Sequence, residues 1–134
     1  MIIKLDEDKD EACDNKCEAS KIKTVYIAGP MRNYKNYNFD AFDTVDARLT
    51  AEGYTTINPA AMDRLYEGWG QYVPDDAVID KDFLERCMRR DLAAIFDIDA
   101  IYMLLGWEES DGAKAEHALA VCLKKMIVYE TTLN

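Results

Sequence analysis

Two acidic residues and two glycine-containing turns hold most of the chemistry this sequence offers. Asp91 stands in RRDLAAIFDID and Glu116 in GWEESDGAKAEHA. Asp91 lies among apolar residues, where burial raises a carboxyl pKa and keeps the group protonated near neutral pH, as a general acid requires. Glu116 stands about one helical turn into a segment opened by Ser110-Asp111-Gly112. Ser110 or Asp111 suits a helix N-cap, and Gly112 keeps the helix start uncluttered. The free N–H groups of such a start bind phosphate or hydroxyl oxygens. The other turn is YIAGPMRN. Gly29-Pro30 lets backbone approach a ligand closely, and Arg32, just after Met31, brings forked donors suited to phosphate.

Each signal also has an ordinary structural reading. Gly29-Pro30 with Arg32 is also a tight turn carrying a solvent-facing arginine. Glu116 is also a surface glutamate of a helix, and Asp91 an exposed aspartate paired with Arg89 or Arg90. His117 is the single histidine. Adjacent to Glu116 on a helix, it points about 100° away, which suits a partly buried or interface role better than joint action on one atom. Asp97 and Asp99 flank the start of a strand as turn formers. Cys13 and Cys17 have helical spacing in a polar stretch but lack the paired CxxC pattern, so no metal site is expected. Cys87 and Cys122 fall in apolar helical patterns, where packing is the expected role.

The elements that must position these residues follow from hydrophobic period. Thr24 to Ala28 is a short β-branched and aromatic strand stopped by Gly29-Pro30. Phe39, Phe42, Val45 and Leu49 recur at helical spacing, and Gly53 ends that helix. Tyr54 to Ile57 is a second strand, ended by Asn58-Pro59. Residues 60 to 80 are expected to be irregular, with Tyr66, Trp69 and Tyr72 among glycines. They serve either as a lid that stacks on a base or as a dimer surface. Trp107 lines the pocket or packs beneath its loop. Asp80 to about Phe96 is a helix with Phe83, Leu84, Cys87, Leu92 and Ile95 inward. Ala100 to Leu105 is apolar throughout, as a strand buried on both faces requires. A helix to about Lys124 and a strand from Met126 to Tyr129 follow.

This alternation predicts an α/β fold with an open parallel sheet of four to five strands and flanking helices, Rossmann-like or flavodoxin-like. Ligands of such sheets bind beyond the carboxyl ends of the strands. Residues 29–33, Asn58 onward and 106–112 collect there. Residues 1–21 are expected to be a mobile acidic arm, with Ile2, Ile3 and Leu5 as a weak candidate edge strand. Residues 22–134 are expected to form one domain.

Charge narrows the partners. The 134 residues carry a net charge of -10, from 26 acidic and 16 basic side chains. Such a chain repels polyanions at long range, which argues against tracking a nucleic-acid polymer or an anionic membrane. One nucleotide in a locally positive pocket remains compatible. No apolar run approaches the roughly 20 residues needed to span a bilayer. The N-terminus is too acidic for a secretory or transit peptide, so a cytoplasmic location is expected.

YIAGPM after the first strand, NFDAF in the next helix and RRDLAAIFDIDAIYMLLGWEESDGAKAEHALA together resemble the small phage and bacterial proteins grouped as DUF4406. These are similar to nucleoside 2-deoxyribosyltransferases and 2′-deoxynucleoside 5′-phosphate N-hydrolases. The resemblance covers about residues 22 to 130. Its most specific part is the spacing of Asp91, Asp99, Ser110, Gly112 and Glu116. It implies a nucleoside 2-deoxyribosyltransferase-type architecture. It further implies Glu116 as the nucleophile toward C1′ of a deoxyribose, ionised while a protonated Asp91 handles the base. Tyr26, Gly29 and Arg32 would line the sugar site, and Ser110 would contact phosphate. Pro30, Met31, Asn58 and Gly112 complete the expected substrate-binding set. The implied activity is N-glycosidic cleavage or deoxyribosyl transfer without metal or organic cofactor, in a homo-oligomer. The alternative is a non-catalytic nucleotide sensor or sequestering protein. Two features depart from the enzymes: Glu116-His117-Ala118 replaces their usual Glu-Leu-Gly, and many relatives continue beyond the fourth strand. An N-terminal arm or a neighbouring subunit is expected to supply that element.

Overall fold

The computed structural model describes residues 22–132. The expected arm, its candidate edge strand and the Cys13/Cys17 pair lie outside these residues. Within them, the order is β1 (Thr24–Ala28), α1 (Phe39–Ala51), β2 (Thr55–Ile57), α2 (Pro59–Glu67), α3 (Lys81–Ile95), β3 (Ala100–Met103), α4 (Asp111–Cys122) and β4 (Met126–Tyr129). Short 3-10 turns at Lys35–Asn38 and Trp107–Glu109 precede α1 and α4.

The four described strands form one all-parallel sheet in the order β2-β1-β3-β4. The fold is Rossmann/flavodoxin-like. β1 and β3 are the inner strands and are buried along their lengths apart from the first residue of β1. Their side chains alternate between two cores, as strand geometry dictates. Val25, Ile27, Ala100 and Tyr102 meet Phe39, Phe42, Val45 and Leu49 of α1 on one face. Tyr26, Ala28, Ile101 and Met103 meet Ile95, Ile98, Ala113 and Ala120 on the other. The strand order reverses between β1 and β3, which makes their carboxyl ends the switch-point crevice.

Residues 60–80 are not wholly irregular. Asn58 caps α2 by accepting from the Ala60 N–H at 2.9 Å, with Pro59 in the first helical position. A proline there sacrifices an N–H that has no helical partner anyway. Trp69 is partly buried and packs between Phe39 and Phe83, with ring centroids 6.5 and 5.7 Å away. Tyr66 and Tyr72 remain exposed. Leu84 points outward rather than inward, and Cys122 is exposed. Phe83 and Leu84 are neighbours about 100° apart on α3, so only one can occupy the inner stripe.

Candidate active site

Strand alternation sends the Tyr26 side chain toward α3 and α4, where it is fully buried. Its hydroxyl donates to Oε2 of Glu116 at 2.8 Å. Glu116 lies between Ala113 and Ala120 on the buried stripe of α4 and is 5% exposed. The two small alanines let the helix lie close to the sheet, and the long carboxyl side chain fills the space between them. Asp91 occupies the α3 stripe in register with Phe83 and Ile95, at multiples of four residues, and is 7% exposed. It too bears on the Tyr26 hydroxyl. The two acids therefore meet at a phenol hydroxyl.

A cation completes the group. Nε of Arg90 donates to Oδ1 of Asp91 at 2.8 Å, and Nη2 of Arg90 donates to Oδ1 of Asp63 at 2.7 Å. Asp63 belongs to α2 and is also buried. Sγ of Cys87 donates to Oδ1 of Asp63 at 3.7 Å. The result is a continuous chain, buried except at the half-buried Cys87 and Arg90: Cys87, Asp63, Arg90, Asp91, Tyr26, Glu116.

Burial governs the electrostatics. It raises Glu116 to about 8, aided by the charge of Asp91 and opposed by the Tyr26 hydrogen bond and Arg90. It raises Asp91 to about 6, with Arg90 holding the value down. Burial also raises Asp63, again against Arg90. Burial and Asp63 push the Cys87 thiol up to about 12, so it is no nucleophile at neutral pH. Burial opposes the charge of Arg90, but Asp91 and Asp63 outweigh it and hold Arg90 above its ordinary value. Tyr26 is raised well above 10 by burial and then by Glu116 and Asp91. Burial thus raises both carboxyls, and Arg90, which grips Asp91 directly, opposes the rise more at Asp91 than at Glu116.

The other expected site residues fall elsewhere. Gly29 ends β1 against β3: a Cβ there would stand 2.7 Å from Cβ and Cδ1 of Leu104. Pro30 is buried, and its carbonyl accepts from Nδ2 of Asn38 at 2.9 Å. Met31 packs against the α1-side core. Arg32 is exposed and lines an open cleft with Tyr37, Asp80, Lys81 and Leu84, a cleft that neither Glu116 nor Asp91 lines. Asn58 is fully used by the fold, since its amide nitrogen also donates to Asp43 and Asp46 at 3.0 and 2.9 Å. Ser110 caps α4 by accepting from the Ala113 N–H at 3.1 Å. Gly112 sits where α4 passes Met88 of α3, with Sδ 3.4 Å from a would-be Cβ. His117 turns away from Glu116 as expected; it stacks on Trp107 at 4.3 Å and its Nε2 lies 2.8 Å from the Tyr129 hydroxyl. Trp107 is therefore a packing residue. Asp99 accepts from the N–H groups of Lys23 and Thr24.

The structure thus joins Tyr26, Asp91 and Glu116 with Arg90, expected only as a partner of an exposed Asp91, and adds Asp63, which sequence reasoning missed. A signal for Asp63 existed: Asn58-Pro59 is a helix-start pair, and Ala60 and Asp63 share a face three residues apart.

The model of a family described as a domain of unknown function, DUF4406, matches residues 23–129. The chain belongs to the DUF4406 family. The matched span of this DUF4406 chain includes all four described strands and every member of the buried chain. No curated protein matches it. Among the described residues, no group of three or more His, Cys, Asp or Glu side chains is arranged to hold a metal ion, and no helix is long and apolar enough to cross a membrane.

Proposed function

We propose that this protein breaks or exchanges the N-glycosidic bond of a 2′-deoxynucleoside or its 5′-monophosphate. The observation that carries the proposal is the 2.8 Å hydrogen bond from Tyr26 to a buried Glu116, with Asp91 against the same hydroxyl. A buried carboxylate pair with unequal affinities for protons is what two-step glycosyl chemistry needs. An oxygen of Glu116 bonds to C1′ as the C1′–N bond breaks. The bonding electron pair leaves with the base, which takes a proton from Asp91. Water then attacks C1′, gives a proton to Asp91 and releases Glu116 as carboxylate. A second base in place of the water gives transfer instead.

The step requires a single proton on the pair; burial favours it on Glu116, while Arg90 favours the charge on Asp91. The Tyr26 hydroxyl supplies the path: by rotating, it accepts from Glu116 and donates to Asp91, which leaves Glu116 ionised and Asp91 protonated. The start of α4 behind Ser110 suits a 5′-phosphate better than a bare nucleoside. We place the protein in the cytoplasm, as a homo-oligomer whose neighbouring copies complete the site. Nucleic-acid polymers and membranes are not part of its function, consistent with the net charge of -10.

Incubation with each 2′-deoxynucleoside and its 5′-monophosphate, followed by chromatography for free base, tests this. Release is expected from at least one monophosphate and is lost in Glu116→Gln. Equal release by parent and Glu116→Gln ends the assignment. A second reading, nucleotide binding without chemistry, draws on the burial that favours the proton on Glu116. It predicts a selective rise in melting temperature with one nucleotide and no base release.

A further inference from the structure

Asp63 and Arg90 take no part in the bond changes above, yet they are set into the site as firmly as the two acids. Nη2 of Arg90 donates to Oδ1 of Asp63 at 2.7 Å and reaches Oδ1 of Asp91 at 2.8 Å, while Nε donates to the same Asp91 oxygen at 2.8 Å. One guanidinium edge spans carboxylates from two helices. α2 touches it a second time through Tyr66, whose ring centroid lies 5.7 Å from Cζ of Arg90. Asp63 is only 5% exposed, a depth at which a carboxylate needs a paired cation.

We propose that Asp63 acts through Arg90 as a positioning residue for the carboxylate pair: the seating of α2 presses the guanidinium onto Oδ1 of Asp91 and so decides which of Asp91 and Glu116 holds the shared proton. The catalytic meaning of that choice rests on the glycosidic reading. The groups facing Asp91 are Arg90 and Cys87 on its own helix, Asp63 on α2, Tyr26 on β1 and Glu116 on α4, with Glu67 behind Asp63. Arg90 is the cation in this set, so its placement outweighs small movements of the rest. Its burial is opposed by desolvation and sustained by two carboxylates. With one removed, the long side chain regains more by swinging into water than by staying, and Asp91 loses its counter-charge.

Carbon-13 titration of the side-chain carboxyls in the full chain reads Asp91 and Glu116 directly and needs no substrate. Two effects of Asp63 oppose each other. As a negative charge it raises both midpoints, so removing the charge lowers them. As an anchor it is replaced by the amide oxygen of Asp63→Asn but not by Asp63→Ala. We expect Asp63→Asn to lower the Asp91 midpoint and Asp63→Ala to raise it by about one pH unit. Any result for Asp63→Ala other than a rise overturns the proposal. Should Asp63→Ala not fold, Arg90→Lys decides, because lysine keeps the charge but not the fork. The gap between the two midpoints must then narrow by about one pH unit, and an unchanged gap overturns the proposal.

Base release by the same variants separates the two ideas. A parent that releases no base ends the glycosidic reading, while the titrations still decide whether Asp63 positions the pair. With an active parent, Asp63→Ala raises kcat at pH 7 with KM nearly unchanged, because a higher Asp91 midpoint populates the state with Glu116 ionised and Asp91 protonated, and Asp63→Asn, which lowers that midpoint, lowers kcat.

Discussion

The hydroxyl of Tyr26 donates to Oε2 of Glu116 at 2.8 Å across a separation of 90 residues. It joins the inner strand β1 to the last described helix, and it opposes the upward shift that burial imposes on Glu116.

Tyr26→Phe removes that hydroxyl and little else. Glu116 keeps its burial but loses the hydrogen bond that lowers its pKa, so its midpoint rises further. A hydrogen bond to a charged group contributes about 1.5–3 kcal/mol, so base release is expected to fall about 10- to 100-fold at pH 7. Circular dichroism should show the fold intact. Unchanged kinetics in Tyr26→Phe would remove the hydroxyl from the mechanism.

The pH dependence of base release should be bell-shaped. Below about 6 both acids hold protons and no carboxylate nucleophile exists; above about 8 both are ionised and no acid serves the leaving base. These limbs belong to the pair as a whole. Profiles of kcat/KM from pH 4.5 to 9.5 check this, and activity that keeps rising beyond pH 9 contradicts it.

Stability should run the opposite way from that of most carboxylates. Glu116 and Asp91 have folded-state pKa values above their ordinary ones. The folded chain therefore binds more protons than the unfolded one between about pH 4 and 8, and stability falls as pH rises through that window. The contribution is fully present below the unfolded values and lost above the folded ones. Glu116→Gln removes the penalty while keeping the shape, and should stabilise the protein by about 2–4 kcal/mol at pH 9 and by much less at pH 5. Urea melts at the two pH values measure the difference. A variant less stable than the parent at pH 9 refutes the account.

Gly29→Ala should be costly although β1 ends there. The new methyl would stand 2.7 Å from Cβ of Leu104, which cannot swing aside as a flexible tip could. A destabilisation of about 1–3 kcal/mol is expected. Leu104→Gly removes that Cβ, so Gly29→Ala should cost less stability in a Leu104→Gly background than in the parent; an equal cost would place the strain elsewhere.

Much of the scaffold was readable from period alone. Phe39, Phe42, Val45 and Leu49 form the inner stripe of α1, and the apolar run expected over 100–105 is buried as far as Leu104, while Leu105, beyond the end of β3, is half exposed. Asp91 was readable as well, since it repeats the phase of Phe83 and Ile95. α2 was not, because Asn58-Pro59 looks like a breaker unless the asparagine is recognised as a cap. With α2 missed, Asp63 had no face to belong to. The proton order of Asp91 and Glu116 was beyond reach for a different reason. It depends on where one arginine fork lands, and that is set by α2 and α3 packing together.

The buried chain draws its members from β1, α2, α3 and α4, and the register that pairs Val25 with Ala100 closes a long loop. Such distant contacts make folding slow and cooperative. During synthesis Tyr26 emerges early and must await Glu116, so no nascent fragment shorter than that carries the whole site. Competence for the reaction and completion of the fold then arrive together, in one event.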